Sequence, residues 1–102
     1  MSKEHQVFWM KRDKMIKTVS VHKDVYMGGE RNIYMFSNHY GASVIRNGMS
    51  YGGDRGLWEV AVLDNNGNIC YDTPITSDVI GYLTWEGVEK ILKKISKLPL
   101  TS

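Results

Sequence analysis

The sequence predicts an α+β domain: a meander-like antiparallel sheet of four or five strands with one C-terminal amphipathic helix packed on one face. Short runs rich in β-branched and aromatic residues, separated by turn residues, fill the first two thirds of the chain. One stretch near the C-terminus has helical periodicity instead. With 102 residues, of which 42% are hydrophobic and 24% charged, the chain is expected to form a single domain, 1–102.

The early strands are predicted from runs of strand-forming residues and from the turn residues between them. Runs of strand-forming residues are interpreted as strands, namely 5–10, 15–21, 32–37 and 42–46. Gly28-Gly29 is expected to break the chain between two of them. The glycines of 47–56 predict a flexible loop before the next strand.

The strongest element is a hairpin centred on Asn66-Gly67. The run Leu57–Asp64 has apolar residues on both faces, which is typical of a central strand. Asn-Gly between apolar runs favours a type I′ turn, in which both central residues have positive φ. That turn would place Leu63 opposite Cys70, on a second strand formed by Ile69–Asp72.

The C-terminal stretch predicts a helix over Trp85–Lys97, with Thr84 as its N-cap and Pro99 beyond its end. Its apolar residues recur at the spacing of one helical stripe: Val88, Ile91, Leu92, Ile95 and Leu98. The preceding Val79-Ile80 is interpreted as a single helical turn.

Catalytic and metal-binding patterns are absent from the sequence, so we expect a protein that is not an enzyme, with no cofactor and no metal. The three histidines are far apart and none has a metal-site spacing. Cys70 is flanked by apolar residues and is interpreted as a small core residue. A small hydrolase using the Asp72-Thr73 loop is the weaker enzymatic alternative.

The composition favours a cytoplasmic protein with no membrane span. No apolar stretch approaches the roughly 20 residues that cross a bilayer. A single cysteine cannot form an intramolecular disulfide. The net charge of +2 is too near neutral to indicate a partner by itself.

Four segments carry a resemblance to a known family. They are SNHYGASVI (37–45), SYG (50–52), LWEVAVL (57–63) and CYDTPITSDVIGYL (70–83). In this order the chain resembles a family of small bacteriophage- and prophage-encoded proteins of unknown function, over roughly Asn32 to Leu98. The resemblance implies an accessory protein acting in an infected bacterial cell, and it supplies no catalytic residues. The chain departs from it at His39, where related sequences tend to have glycine.

The leading hypothesis is therefore a phage-derived, non-enzymatic module that binds a host or phage protein. The residues expected to contribute to binding are Tyr40, Tyr51, Arg55, Asp72, Thr73 and Thr76. The alternative is a small nucleic-acid-binding protein, because tyrosines such as Tyr34 interleave with arginines and could stack bases on a sheet face. A homodimer is also open, with Phe8, Trp9 or Trp58 filling the uncovered sheet face.

Overall fold

The computed structural model describes residues 6–9, 15–76 and 78–99. The elements are β1 (Gln6–Trp9), β2 (Met15–Tyr26), β3 (Gly29–Phe36), β4 (Gly41–Arg46), a 3₁₀ turn (Gly53–Arg55), β5 (Trp58–Leu63), β6 (Ile80–Leu83) and α1 (Trp85–Ser96). The six strands are all antiparallel and lie in chain order, each beside the one before it. The predicted α+β meander with a C-terminal helix is confirmed.

Helix α1 covers one face of the sheet, which we call the helix face. Alternate residues of the central strands point to it, and the apolar stripe of α1 packs against them. The buried core comprises Tyr34, Phe36, Ala42, Val44, Trp58, Val60, Val62, Val88, Leu92, Ile95 and Leu98. The opposite side, the open face, carries Arg31, Ile33, Ser43, Ile45, Glu59 and Ala61, which the strand registers place together.

The direction of α1 distinguishes two ends of the sheet. At the upper end α1 begins at Trp85, after its N-cap Thr84, near the β2–β3 turn and the segment 47–57. At the lower end α1 finishes beside the β3–β4 loop, near the segment 64–72. Strand β5 runs from one end to the other, a separation of about 17 Å at the usual rise per residue.

The turn after β5 is not of type I′, so that prediction is wrong. Only Gly67 is left-handed, with φ 83°. The Gly67 N–H donates to the Asp64 carbonyl at 3.0 Å, and the Asp64 N–H to the Asn68 carbonyl at 2.8 Å. These two bonds define a three-residue loop built on a type I turn with a glycine bulge. The Asp64 side chain stabilises it by accepting from the N–H groups of Asn66 and Asn68.

This loop changes the predicted pairing by one residue. Leu63 forms an isolated bridge with Ile69, not with Cys70. No second strand forms over Ile69–Asp72, although the Cys70 N–H donates to the Val62 carbonyl at 2.7 Å. The type I′ turn occurs instead at Met27-Gly28, whose φ angles are 52° and 79°, between the paired residues Tyr26 and Gly29.

The segment before α1 also differs from its prediction. Ile80 lies in strand β6, paired with Val60, and not in a helical turn. Leu83 pairs with Trp58, so two residues, Gly81 and Tyr82, lie opposite the single residue between these pairs on β5. This is a β-bulge, and Tyr82 has a left-handed φ of 57° within it.

The segment 47–56, predicted as a flexible loop, is instead held by hydrogen bonds. The Ser50 hydroxyl donates to the Asn47 carbonyl at 3.0 Å and accepts from the Asn47 N–H at 2.9 Å. Both residues are buried. Glycine content predicted mobility, but here the small residues let successive turns fold back on one another.

Helix α1 agrees with its prediction. The Thr84 hydroxyl accepts from the Gly87 N–H at 3.2 Å, the expected N-cap bond. Within the part of the chain that the structure describes, no helix has the length and apolar character needed to cross a membrane.

One predicted role is excluded by the packing. Trp58 lies in the core, 9% exposed, with its ring edge-on to Trp85 at 5.2 Å. It therefore cannot fill the open face of a homodimer. The side chains of Phe8 and Trp9, named for the same role, lie outside the described part of the structure.

Candidate functional site

Exposed apolar side chains concentrate at the upper end of the sheet. Among the described residues, eight large apolar or aromatic side chains are exposed, and two of them, Ile69 and Tyr71, belong to the lower end. The others form what we call the upper-end surface: Val25, Tyr26, Met27, Met49, Tyr51 and Tyr82. An exposed apolar cluster of this kind is typical of a binding surface.

Asn47 connects the β2–β3 turn, which carries part of the upper-end surface, to the segment that carries Met49. Its side-chain amide donates to the Tyr26 carbonyl at 3.4 Å, and its side-chain oxygen accepts from the Met49 N–H at 2.8 Å. The buried Asn47 therefore holds the β2–β3 turn beside the segment that carries Met49. Met49 itself is 76% exposed.

The backbone of Tyr51 connects the segment 47–56 to strands β5 and β6. Its N–H donates to Glu59 Oε1 at 2.8 Å, and its carbonyl accepts from the Tyr82 N–H at 3.0 Å. The bulge in β6 makes this second bond available, because it turns the Tyr82 N–H away from β5. A Cβ at Gly81 would collide with the Tyr51 side chain, so only glycine allows this approach.

Two residues of the upper-end surface have unfavourable backbone conformations. Met27 and Tyr82 are left-handed, yet 57% and 60% of their surfaces are exposed. A left-handed conformation costs a residue other than glycine about 1 kcal/mol or more, and asparagine tolerates it best among the others. Large exposed side chains at these positions therefore lower the stability of the fold without adding core packing.

Of the six residues predicted to bind a partner, Tyr51 and Arg55 lie at the upper end. Arg55 is exposed in the 3₁₀ turn, and its N–H donates to the Gly52 carbonyl at 3.0 Å. Tyr51 and Arg55 are close in the sequence, and the structure exposes both to solvent.

The other four lie at the lower end. Tyr40 and Asp72 line a cavity of about 660 Å³ there, which also contacts His39, Asp64 and Cys70. Thr73 and Thr76 follow in the same loop, where their hydroxyls accept from the N–H groups two residues later. These are ST turns, which explain both hydroxyls structurally. The six predicted residues therefore form two groups and not one site.

His39 and Cys70 both line the lower-end cavity, which the sequence did not indicate. Cys70 Sγ donates to Asp72 Oδ1 at 2.9 Å, and this hydrogen bond, with partial burial, raises the pKa of the thiol. A cysteine nucleophile needs the opposite shift, toward thiolate. Among the described residues, no group of three or more His, Cys, Asp or Glu side chains could hold a metal ion.

Three of the basic and aromatic residues considered for nucleic-acid binding make other contacts. Tyr34 is in the core, 2% exposed, and burial raises its pKa to about 12. Arg31 makes a bidentate ion pair with Asp24 and lies over the Tyr26 ring. Arg46 pairs with Glu30 and lies over Trp58. Tyr34 therefore cannot stack a base, and the guanidinium groups of Arg31 and Arg46 are already paired with carboxylates.

Sequence reasoning missed Val25, Met27, Met49 and Tyr82 as members of the upper-end surface. Met27 had a usable signal, because an apolar residue before Gly28-Gly29 lies where a turn is expected. Tyr82 had none, since its exposure depends on a bulge.

Comparison of the chain with protein-family models, with curated proteins and with solved structures finds no match in any of the three.

Proposed function

We propose that this chain is a non-enzymatic interaction module that binds a protein partner through the upper-end surface. The observation that carries the proposal is the pair of exposed, left-handed residues Met27 and Tyr82. Residues held in unfavourable backbone conformations cluster at binding sites and ligand clamps, where the strain is part of the function.

The composition of the surface supports a protein partner. Tyrosine, methionine and arginine are enriched where proteins bind one another, and Met49, Tyr51 and Arg55 are all exposed within the segment 47–56. Methionine side chains also adapt to irregular partner surfaces. The hydrogen bonds of Asn47 and Tyr51 fix the backbone beneath, which lowers the entropy cost of binding.

The resemblance to phage and prophage proteins supports a setting for this activity. In this proposal the chain acts in the cytoplasm of an infected bacterial cell and binds a host or phage protein. The phage origin and the location rest on that resemblance alone.

The experiment is capture from a bacterial lysate, with and without nuclease treatment, using the tagged protein and quantitative mass spectrometry. Wild type is compared with Tyr51→Ala and Arg55→Ala, and with the control Tyr71→Ala, which removes an equally exposed tyrosine at the lower end. We expect a protein enriched by wild type and by the control to be lost from both upper-end variants, with thermal stability unchanged.

Equal capture by all four proteins would overturn the proposal for this surface. Capture that disappears for wild type after nuclease treatment would instead favour nucleic acid as the partner. That result would return the nucleic-acid alternative to first place.

A further inference from the structure

A second concave site opens on the helix face at the upper end. It is a notch of about 310 Å³ bounded by Trp58 and Trp85, with Lys23, Asp24, Glu30 and Asn32 on its walls. The two indole rings are inclined at 64° to each other. Aromatic walls with a few polar groups are the usual composition of a small-molecule site, and this volume lies at the lower end of the usual range for such sites.

Asn32 is the unusual residue of this notch. It is only 8% exposed, and its side-chain amide makes no hydrogen bond to any residue that the structure describes. Every described side-chain nitrogen or oxygen that is fully removed from solvent does have a partner. The Asn32 amide must therefore reach solvent, and the notch that it lines is where it does so. A buried amide left in this way is a donor and an acceptor available to a ligand.

The charges around the notch leave one cation available. Glu30 is paired with Arg46, and Asp24, which also lines the notch, is paired with Arg31. Lys23 is exposed and makes no ion pair within the described residues. The wall of the notch therefore offers an ammonium group to an anionic ligand.

We propose that the notch binds an adenine nucleotide. The base contacts the indole of Trp85, the Asn32 amide hydrogen-bonds the donor and acceptor atoms on the base edge, and Lys23 contacts the phosphate. Asparagine recognises adenine through a paired donor and acceptor, and aromatic rings bind bases by stacking. A free mononucleotide and one unit of a single strand share this chemistry.

The test is calorimetric titration of the whole protein with adenosine 5′-monophosphate, adenosine, ribose 5-phosphate and a short oligo(dA). NMR spectra of ¹⁵N-labelled protein locate the site through the Trp85 indole and Asn32 side-chain signals. We expect saturable binding of the monophosphate, weaker binding of adenosine and none of ribose 5-phosphate. Tighter binding of oligo(dA) than of the monophosphate would identify single strands as the source, and equal binding would identify the free nucleotide.

Two variants test separately the contact of Asn32 with the base and the contact of Lys23 with the phosphate. Asn32→Leu should lower the affinity for the monophosphate by about tenfold or more. Its melting temperature should not fall, because an unpaired amide is replaced by an apolar side chain of similar size. Lys23→Gln should lower the affinity for the monophosphate by about threefold and leave that for adenosine unchanged. Lys94→Gln, at an exposed lysine toward the other end of α1, is the matched control.

The inference is overturned if no nucleotide binds, if ribose 5-phosphate binds as well as the monophosphate, or if Asn32→Leu binds as tightly as wild type. These outcomes are independent of the protein-binding proposal, because no residue of the upper-end surface is altered.

Discussion

The side-chain amide of Asn38 donates to the carbonyl oxygen of Ile95 at 2.8 Å, which ties the β3–β4 loop to the last turn of α1. The same amide donates to the Leu98 carbonyl at 3.0 Å, while the side-chain oxygen accepts from the Tyr40 N–H. Carbonyl groups at a helix C-terminus lack partners within the helix. One buried asparagine therefore closes α1 and orders the loop.

Asn38→Ala should lower the free energy of unfolding by about 2 kcal/mol, because it leaves buried backbone groups without partners. Urea denaturation measures this, with Ser37→Ala as the control at an exposed neighbouring position. A loss no larger than that of the control would mean that the Asn38 bonds contribute little.

Met27→Asn should raise the free energy of unfolding by about 0.5 to 1 kcal/mol. Met27 and Gly28 form the type I′ turn, for which Asn-Gly is the preferred pair. Because Met27 is mostly exposed, little packing is lost. Thermal and urea denaturation give the change, and a decrease in stability would show that the Met27 side chain supports the fold.

His39→Gly should raise the free energy of unfolding by about 1 kcal/mol, because glycine adopts a left-handed backbone without the steric cost that other residues have. His39 has φ 72°, and its N–H donates to the Phe36 carbonyl while the Phe36 N–H donates to the Tyr40 carbonyl. Gly67 occupies the matching position of the turn after β5, with the same hydrogen bonds. Gly67→Ala is the reciprocal test and should destabilise the protein. A fall in melting temperature for His39→Gly would contradict the comparison.

Asp24 should make stability depend on acid pH. The hydrogen bonds from Arg31 lower the pKa of Asp24 from 3.8 to about 2. A lowered pKa in the folded state stabilises the protein above the unfolded pKa, and this contribution is lost as the pH falls from about 4 to about 2. The melting-temperature difference between wild type and Asp24→Asn should therefore shrink over that interval. A difference that is constant between pH 5 and pH 2 would argue against the shift.

Cys70 should react slowly with iodoacetamide near pH 8, because the hydrogen bond to Asp72 favours the thiol. Asp72→Asn should increase the alkylation rate by removing that carboxylate. The denatured protein provides the reference rate. A native rate equal to the denatured rate would mean that the hydrogen bond does not control the thiol.

The sequence was sufficient for the α+β class, the strands up to β5 and the helix, but not for the turns or for β6. The stripe of α1 and its Thr84 cap are local patterns that packing reinforced, so the helix was found at nearly its observed bounds. Asn66-Gly67 suggested a type I′ turn, but the Asp64 side chain stabilises a different turn there. Strand β6 was missed because its pairing with β5 depends on a long-range contact and a bulge.

The candidate site was only partly predictable for similar reasons. Tyr51 and Arg55 stood out because they lie in a glycine-rich segment, and the structure does expose them. Met27 precedes the expected Gly28-Gly29 turn, but its left-handed backbone, and the exposure and left-handed backbone of Tyr82, are not revealed by residue type. The unpartnered amide of Asn32 likewise depends on what surrounds it across the sheet.

The central claim is that Met27 and Tyr82 lower stability in return for partner binding. The most direct measurement applies lysate capture and thermal denaturation to the double variant Met27→Asn/Tyr82→Asn. We predict that the variant melts no lower than wild type and no longer captures the nuclease-resistant protein that wild type enriches. A variant that folds as well as wild type and still captures that protein to the same extent would contradict the account.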